Sequence, residues 1–295
     1  MRMNIQNDLL SLNLQPVSQG QLFLYRLSKN RFALLGLGFI MLIILMSIFA
    51  PIVIQTNPNT QGDLVHSRYL GPSFQHPFGT DKFARDVFSR VWHGARISLT
   101  VAFSVVILSL TIGLFYGTIS GFFGGWIDSV MMRILDFILA FPVIFLLIII
   151  VAVFSPSLVH FILLLSFTGW MESARMIRAE VLSVKEREYV QAAVSLGLSR
   201  FKILFYHVIP NCLSPLLVMA PLKIGRVILL ESALSFLGIG VQPPTASWGN
   251  IIHDGSNLLI HAWWIATFPG ILIVLTVMSF NFIGEGISES MRSKF

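Results

Sequence analysis

The chain has 295 residues, of which 55% are hydrophobic and 12% charged, against roughly half and a quarter in an ordinary soluble domain. That balance excludes a typical water-soluble globule. Lys and Arg number 20 against 14 Asp and Glu, a net charge of +6, but the basic residues form no stripe of the kind nucleic acid requires, so the excess points to a bilayer surface.

A bilayer core about 30 Å thick is crossed by roughly 20 apolar residues. Residues 1–31 are polar and are expected to form a loosely ordered tail. The first charge-free run, Phe32 to Ile54, predicts a membrane helix with Pro51 near its far end, too deep and too long for a cleavable signal peptide. Residues 55–96 then form an external loop. A second uncharged stretch runs from Ile97 to Ile127, with its apolar part ending near Ser120 before the turn-rich Gly121 to Gly125. Within it Gly113, Gly117, Gly121 and Gly125 recur every four residues, a face that lets another helix approach closely.

No charge appears from Phe137 to Met171, too long for one crossing, and Ser155-Pro156-Ser157 breaks the run. Two spans follow from this, Ile134 to Phe154 and Leu158 to about Arg175. Asn211 to Phe236 and Ala262 to Gly284 complete six. Pro142 and Pro221 each remove a backbone donor, so both of their helices are expected to kink. Short segments on one side carry thirteen Lys and Arg against five on the other, which places both termini and the loop 175–211 in the cytoplasm. The expected fold is therefore an all-α membrane protein, with a core of five membrane helices over residues 97–286 and a short cytoplasmic tail over 287–295.

The 175–211 loop reads as helix, break, helix: Lys185 to Leu196, Gly197, then Ser199 to Ile209, stopped by Pro210. Ala192 and Ala193 supply a small-residue face for docking, and Tyr189, Val190, Phe201 and Phe205 supply apolar anchors. An amphipathic segment lying on lipid is the alternative. In the fifth span Lys223, Arg226 and Glu231 are costly against lipid, so they face a solute pathway or form a structural ion pair with Glu231. The single cysteine, Cys212, cannot form an internal disulfide and is expected to pack as a small apolar residue.

Catalytic signatures are absent: no His-Glu-x-x-His helix, no Gly-x-Ser-x-Gly elbow and no phosphate-binding Gly-rich loop. Ser199-Arg200-Phe201-Lys202 lacks the partner motifs of a Ser-x-x-Lys enzyme, so Ser199 is expected to cap a helix. His253, Asp254 and His261 are read as ordinary loop residues rather than metal ligands. No catalytic residue, metal site or bound cofactor is expected.

At the 175–211 loop the sequence resembles the permeases of ATP-binding-cassette importers, whose motif reads Glu-Ala-Ala, three residues, Gly, nine residues, Ile-x-Leu-Pro. Here it stands as Gln191-Ala192-Ala193, Gly197 and His207-Val208-Ile209-Pro210. Other stretches narrow the resemblance to the second membrane subunit of oligopeptide, dipeptide and nickel importers. These are His76 to Asp81 with Arg85-Asp86, Gly94 to Leu99, Arg187 to Val190, Leu234 to Gly238, Pro243-Pro244 with Ser247-Trp248-Gly249, Phe268-Pro269-Gly270, and Phe280 to Gly286. Ala84 stands where that family usually has Gly.

The resemblance implies a type I importer permease in the bacterial inner membrane. It implies a homologous second permease subunit, two cytoplasmic ATP-binding subunits that use the ATP, and an external solute-binding protein. It places coupling at Tyr189, Gln191, Ala192, Ala193, Gly197, Phe201 and Pro210. It assigns His76, Asp81, Arg85 and Asp86 to the outer gate or the binding-protein face. Peptides are the expected solute, with nickel or another small solute as the alternative. A membrane enzyme and a self-sufficient secondary transporter are the competing classes, the second resting on Asp136, Glu172 and Glu231.

Overall fold

A computed structural model describes residues 19–54, 57–142, 145–149 and 157–292. Among them the chain is helical, with one isolated antiparallel bridge between Thr80 and Asp86. In chain order the helices are α1 (Gln19–Lys29), α2 (Arg31–Val53), α3 (Val87–Phe123), α4 (Gly125–Leu139), α5 (Leu158–Lys185), α6 (Glu188–Ser195), α7 (Arg200–Ile203), α8 (Ile209–Phe236), α9 (Trp248–Gly255) and α10 (Trp264–Arg292). Four helical stretches among the described residues are long and apolar enough to cross a membrane: Arg31–Ile52, Val87–Phe123, Arg200–Phe236 and Trp264–Met291.

Caps explain where these helices begin. The Asn30 side chain accepts from the Ala33 N–H at 3.0 Å to start α2, and Asp86 accepts from Ser89 N–H at 2.7 Å to start α3. α3 thus begins ten residues before Ile97, and the loop that precedes it ends at Asp86. Arg90, a loop charge in the sequence reading, is instead a buried helix residue with acidic partners. Ser157 accepts from His160 N–H at 3.1 Å, so α5 starts beside the expected break and runs on to Lys185.

Other boundaries also differ from expectation. Part of the N-terminal tail is the helix α1, and α10 extends through most of the C-terminal tail to Arg292. The expected span Ile134 to Phe154 falls partly outside the described residues. Within them, α4 ends at Leu139 and residues 145–149 are helical, so Pro142 lies between two helical pieces rather than inside a kinked one. Pro221 is retained inside a continuous α8.

Apolar burial supplies little drive for association in lipid, so close contact and interhelical hydrogen bonds hold such a bundle. The α3–α5 pair depends on glycine. A Cβ at Gly113 would lie 2.6 Å from that of Ser173, one at Gly121 would lie 3.0 Å from the Arg178 carbonyl oxygen, and one at Gly117 would collide with the carbonyl of Ala174. Gly125 lies outside this face, because α3 ends at Phe123 and the chain turns through left-handed Gly124 and Gly125. Gly117→Ala is expected to destabilise the subunit by about 1–3 kcal/mol, read as a lowered melting temperature in detergent; unchanged melting would show that the contact relaxes freely.

Polar clamps reinforce this pair and tie it to α4. The Lys185 ammonium donates to the carbonyls of Gly121 and Phe122, at 3.2 and 3.0 Å, satisfying the end of α3. Arg178 grips Asp128 of α4 with two hydrogen bonds of 2.5 Å, and this guanidinium holds the Asp128 carboxyl below the ordinary carboxylate range. The main core gathers Ile43 of α2, Val91 and Ala102 of α3, Ile228 of α8, Trp248 of α9 and Ile265 of α10.

Candidate functional site

The hairpin between α5 and α8 folds as the sequence pattern requires at its centre. Gly197 adopts φ +76°, the left-handed conformation that closes a helix. Its N–H donates to the Val194 carbonyl at 2.9 Å and the Leu198 N–H to the Ala193 carbonyl at 3.2 Å, the paired bonds of a Schellman cap. Ser199 then caps α7, accepting from the Lys202 N–H at 3.4 Å. α7 is followed by a π turn, Leu204–Val208, in which the Ile209 N–H reaches back to the Leu204 carbonyl. Pro210 therefore does not stop the helix. It occupies the first turn of α8, where a missing N–H costs little.

This hairpin is anchored by its own core. Ile177, Val181 and Val184 of α5 meet Val190 and Ala193 of α6, Ile203 of α7, and Val208 and Cys212 further on. Cys212 is buried, as expected for a small apolar packing residue. Val190 is thus an inward residue, not an exposed anchor, and Ala193 is buried while Ala192 is exposed, so the two alanines do not form one outward face. The outward side carries Tyr189, Val194, Leu196 (81% exposed), Phe201 (68%), Phe205 and Tyr206. Val194, Leu196 and Tyr206 are not among the anchors expected from the sequence.

Gln191 turns back on its own chain: its amide donates to the Lys185 carbonyl at 2.8 Å, capping the end of α5. A glutamate there would have no proton to donate. The first hairpin helix is also shorter than expected, starting at Glu188 after a turn at Glu186 and Arg187.

The three charges of α8 part company. Lys223 is buried and donates to the Gly169 carbonyl and, at 2.6 Å, to Ser173 Oγ, both on α5. Arg226 pairs with Glu172 of α5 at 3.2 Å. Glu231 is fully buried and accepts from Ser98 Oγ at 2.9 Å, Ser235 Oγ at 2.8 Å and Ser232 Oγ at 3.4 Å. The expected ion pair of Arg226 with Glu231 is therefore not formed; Glu231 is satisfied by hydroxyls, and the arginine's partner comes from another helix.

On the opposite side from the hairpin, the residues before α3 form a tight knot. Asp81 is buried and accepts from the backbone N–H groups of Phe83 and Arg85, at 2.8 and 3.0 Å, and from Arg85 Nε at 2.6 Å. Arg85 and Arg90 also reach Asp254 of α9 at 3.3 and 3.5 Å, and Lys82 reaches it at 2.8 Å. His76 Nδ1 lies 3.0 Å from Asp86, the cap of α3. The sequence pattern reads Asp254 as an ordinary loop residue; the fold instead brings it to three cations that lie more than 160 residues away in the chain. Among the described residues no group of three His, Cys, Asp or Glu side chains is placed to hold a metal ion.

Ala84 in this knot sits at φ +55°, which strains any residue with a Cβ. Ala84→Gly is expected to stabilise the subunit by about 1 kcal/mol, measured as a raised melting temperature; a lowered one would mean that the buried Ala84 methyl contributes more than the strain costs.

Comparison with known proteins supplies the lineage. Residues 109–293 match the model for binding-protein-dependent transport system inner membrane components, and residues 18–72 match the N-terminal transmembrane domain of oligopeptide transport permease C. The dipeptide transport system permease protein DppC of Alkalihalophilus pseudofirmus is 40% identical over 91% of this chain and 88% of its own length. The oligopeptide transport system permease protein OppC of Bacillus subtilis is 39% identical over 91% and 88%, and the DppC of Haemophilus influenzae 34% identical over 96% and 97%. Apolar helices of membrane-crossing length, a packed hairpin at the Gly197 motif and kinship over nearly the whole chain together make this protein a member of the binding-protein-dependent transport system inner membrane component family.

Proposed function

We propose that the chain is one of two homologous permease subunits of an ATP-driven importer of peptides, crossing the membrane six times with both termini in the cytoplasm. The observation that carries this reading is the hairpin. Its outward apolar side offers anchors to a cytoplasmic partner, while its inward side shares a core with α5 and α8. A push on Tyr189, Gln191, Ala192 or Phe201 thus reaches membrane helices through packed side chains, and Gly197 and Pro210 set the angles of the lever. Coupling of this kind needs an element with two arrangements biased from both ends.

ATP is used by two separate cytoplasmic subunits, and this chain carries no catalysis of its own. An external binding protein delivers the solute to the face that holds His76, Asp81, Arg85 and Asp86. The dipeptide and oligopeptide transport for which the relatives are named supports a peptide cargo. Of the three charged residues of α8, Arg226 is the one whose exposure supports a pathway role; the burial of Lys223 and Glu231 supports a structural one.

The test is purification of the tagged chain from native membranes in mild detergent, beside a variant carrying Leu196→Asp and Phe201→Asp. Recovery of a second permease subunit and ATP-binding subunits with the wild type, and loss of the ATP-binding subunits from the variant, is the expected result. A chain that purifies alone would instead favour a self-sufficient secondary transporter.

A further inference from the structure

Four charged side chains form a strip of alternating sign across three helices. Arg226 on α8 meets Glu172 on α5; Arg175, one turn further along α5 toward the hairpin, meets Asp136 on α4. All four side chains are more than half exposed, Arg226 by 70% and Glu172 by 61%. The same helices also expose apolar residues, Leu163 and Phe167 on α5 and Leu229 on α8, and Arg133, one turn before Asp136 on α4, is a further exposed charge. Lys223 and Arg178 are turned away from the strip into packed contacts: Lys223 into Gly169 and Ser173, and Arg178 into Asp128.

A single charge at the centre of a membrane helix costs about 2.5–3.5 kcal/mol even on the most permissive scale. Arg226 and Glu172 lie within their spans and Arg175 and Asp136 at the span ends, so the inner pair at least is not laid against acyl chains, and in the assembled transporter this face is turned to water or to another subunit. An exposed ion pair contributes only about 0–1 kcal/mol, which makes it easy to open and exchange. The strip as a whole is neutral, so a zwitterion can engage it without leaving a net charge behind.

Resting on the peptide-permease reading, we propose that this strip lines the translocation path and passes the charged termini of a peptide along it. The peptide carboxylate moves between Arg226 and Arg175, and its ammonium between Glu172 and Asp136. Weak sites repeated along the path let the solute enter and also leave.

The complete transporter, reconstituted in vesicles with its binding protein and internal ATP, is assayed for uptake of labelled dialanine. Arg226→Gln and Glu172→Gln are each expected to slow uptake at least tenfold. The reversed pair, Arg226→Glu with Glu172→Arg, is expected to remain as slow, because it restores an ion pair but breaks the order of signs. Full uptake by the single variants or by the reversed pair would overturn the proposal, the latter showing that only a structural pair is needed. In a Cys212→Ala background, Arg226→Cys is expected to react with a membrane-impermeant charged thiol reagent, and more slowly while dialanine is being transported. Reaction with a lipid-soluble maleimide alone, or a cross-link to the second permease subunit without charged-reagent access, would also overturn it. A wild-type transporter that takes up no dialanine would overturn the peptide reading itself, and the strip's role with it.

Discussion

Gly197→Val is expected to cut peptide uptake by about 5- to 150-fold, the range spanned by a coupling free energy of 1–3 kcal/mol, while the subunit still inserts. The reason is backbone conformation rather than space. A Cβ at Gly197 would meet nothing within 4 Å, yet φ is +76°, a region that costs an L-residue about 1–2 kcal/mol and a β-branched one more. Valine relieves that strain by rotating out of the left-handed region. Both Schellman hydrogen bonds then break, and α6 swings relative to α7. The core shared by α5, α6 and α7 keeps the membrane helices together, so the damage falls on the angle of the hairpin. Gly197→Asn tolerates the same conformation and is expected to transport near the wild-type rate. Measured side by side, equal uptake by the valine and asparagine variants would sink the coupling role of the turn; a rise in ATP consumed per peptide imported in the valine variant alone would support it.

Glu231→Leu is expected to be worse for the protein as a whole. Its two carboxylate oxygens accept hydrogen bonds from Ser98 of α3 and Ser232 and Ser235 of α8, and two of those hydroxyls are committed elsewhere as well. Ser98 Oγ accepts from the Trp248 N–H at 3.3 Å, and Ser235 Oγ from the Val241 N–H at 3.0 Å. With their lone pairs so engaged, the hydroxyl protons point at Glu231, and a leucine leaves them unmatched in a buried site. Each stranded donor costs about 1–3 kcal/mol. The segment between α8 and α10 depends on this hub for its hold on α3, so α9 should loosen together with Trp248. The expected result is little or no accumulated complex, whereas Glu231→Gln, which keeps an acceptor oxygen, should accumulate with a reduced melting temperature. Leucine at wild-type yield and melting would show that the serines find other acceptors.

Gln191 illustrates how a departure from a motif acquires a reason. The importer motif that this stretch resembles has glutamate at this place, and the sequence leaves the exchange without an explanation. In the folded chain the amide closes the end of α5, a task that needs a donor. Pro210 teaches the opposite lesson. A proline reads as a stop when only its own lost N–H is considered, but the π turn before it shifts the bonding register, and the side chain of Asn211 donates to the His207 carbonyl at 2.7 Å.

The outlines of this protein were legible in the residues because they depend on local chemistry. Charge-free runs of membrane-crossing length, the small-residue spacing of Gly113, Gly117 and Gly121, the turn at Gly197 and the cap at Ser199 all follow from helix geometry and backbone preference within a few positions. The ordered series of motifs from His76 to Gly286 was equally visible, and the kinship of the chain bears it out. What the residues in order could not decide is which charge meets which. Arg226 chooses Glu172 rather than Glu231, and Arg85 and Arg90 find Asp254 across more than 160 positions. Those choices belong to the tertiary structure, because an ion pair forms between whichever side chains the packed helices bring within reach, and packing is settled by faces and crossings that a linear pattern does not contain.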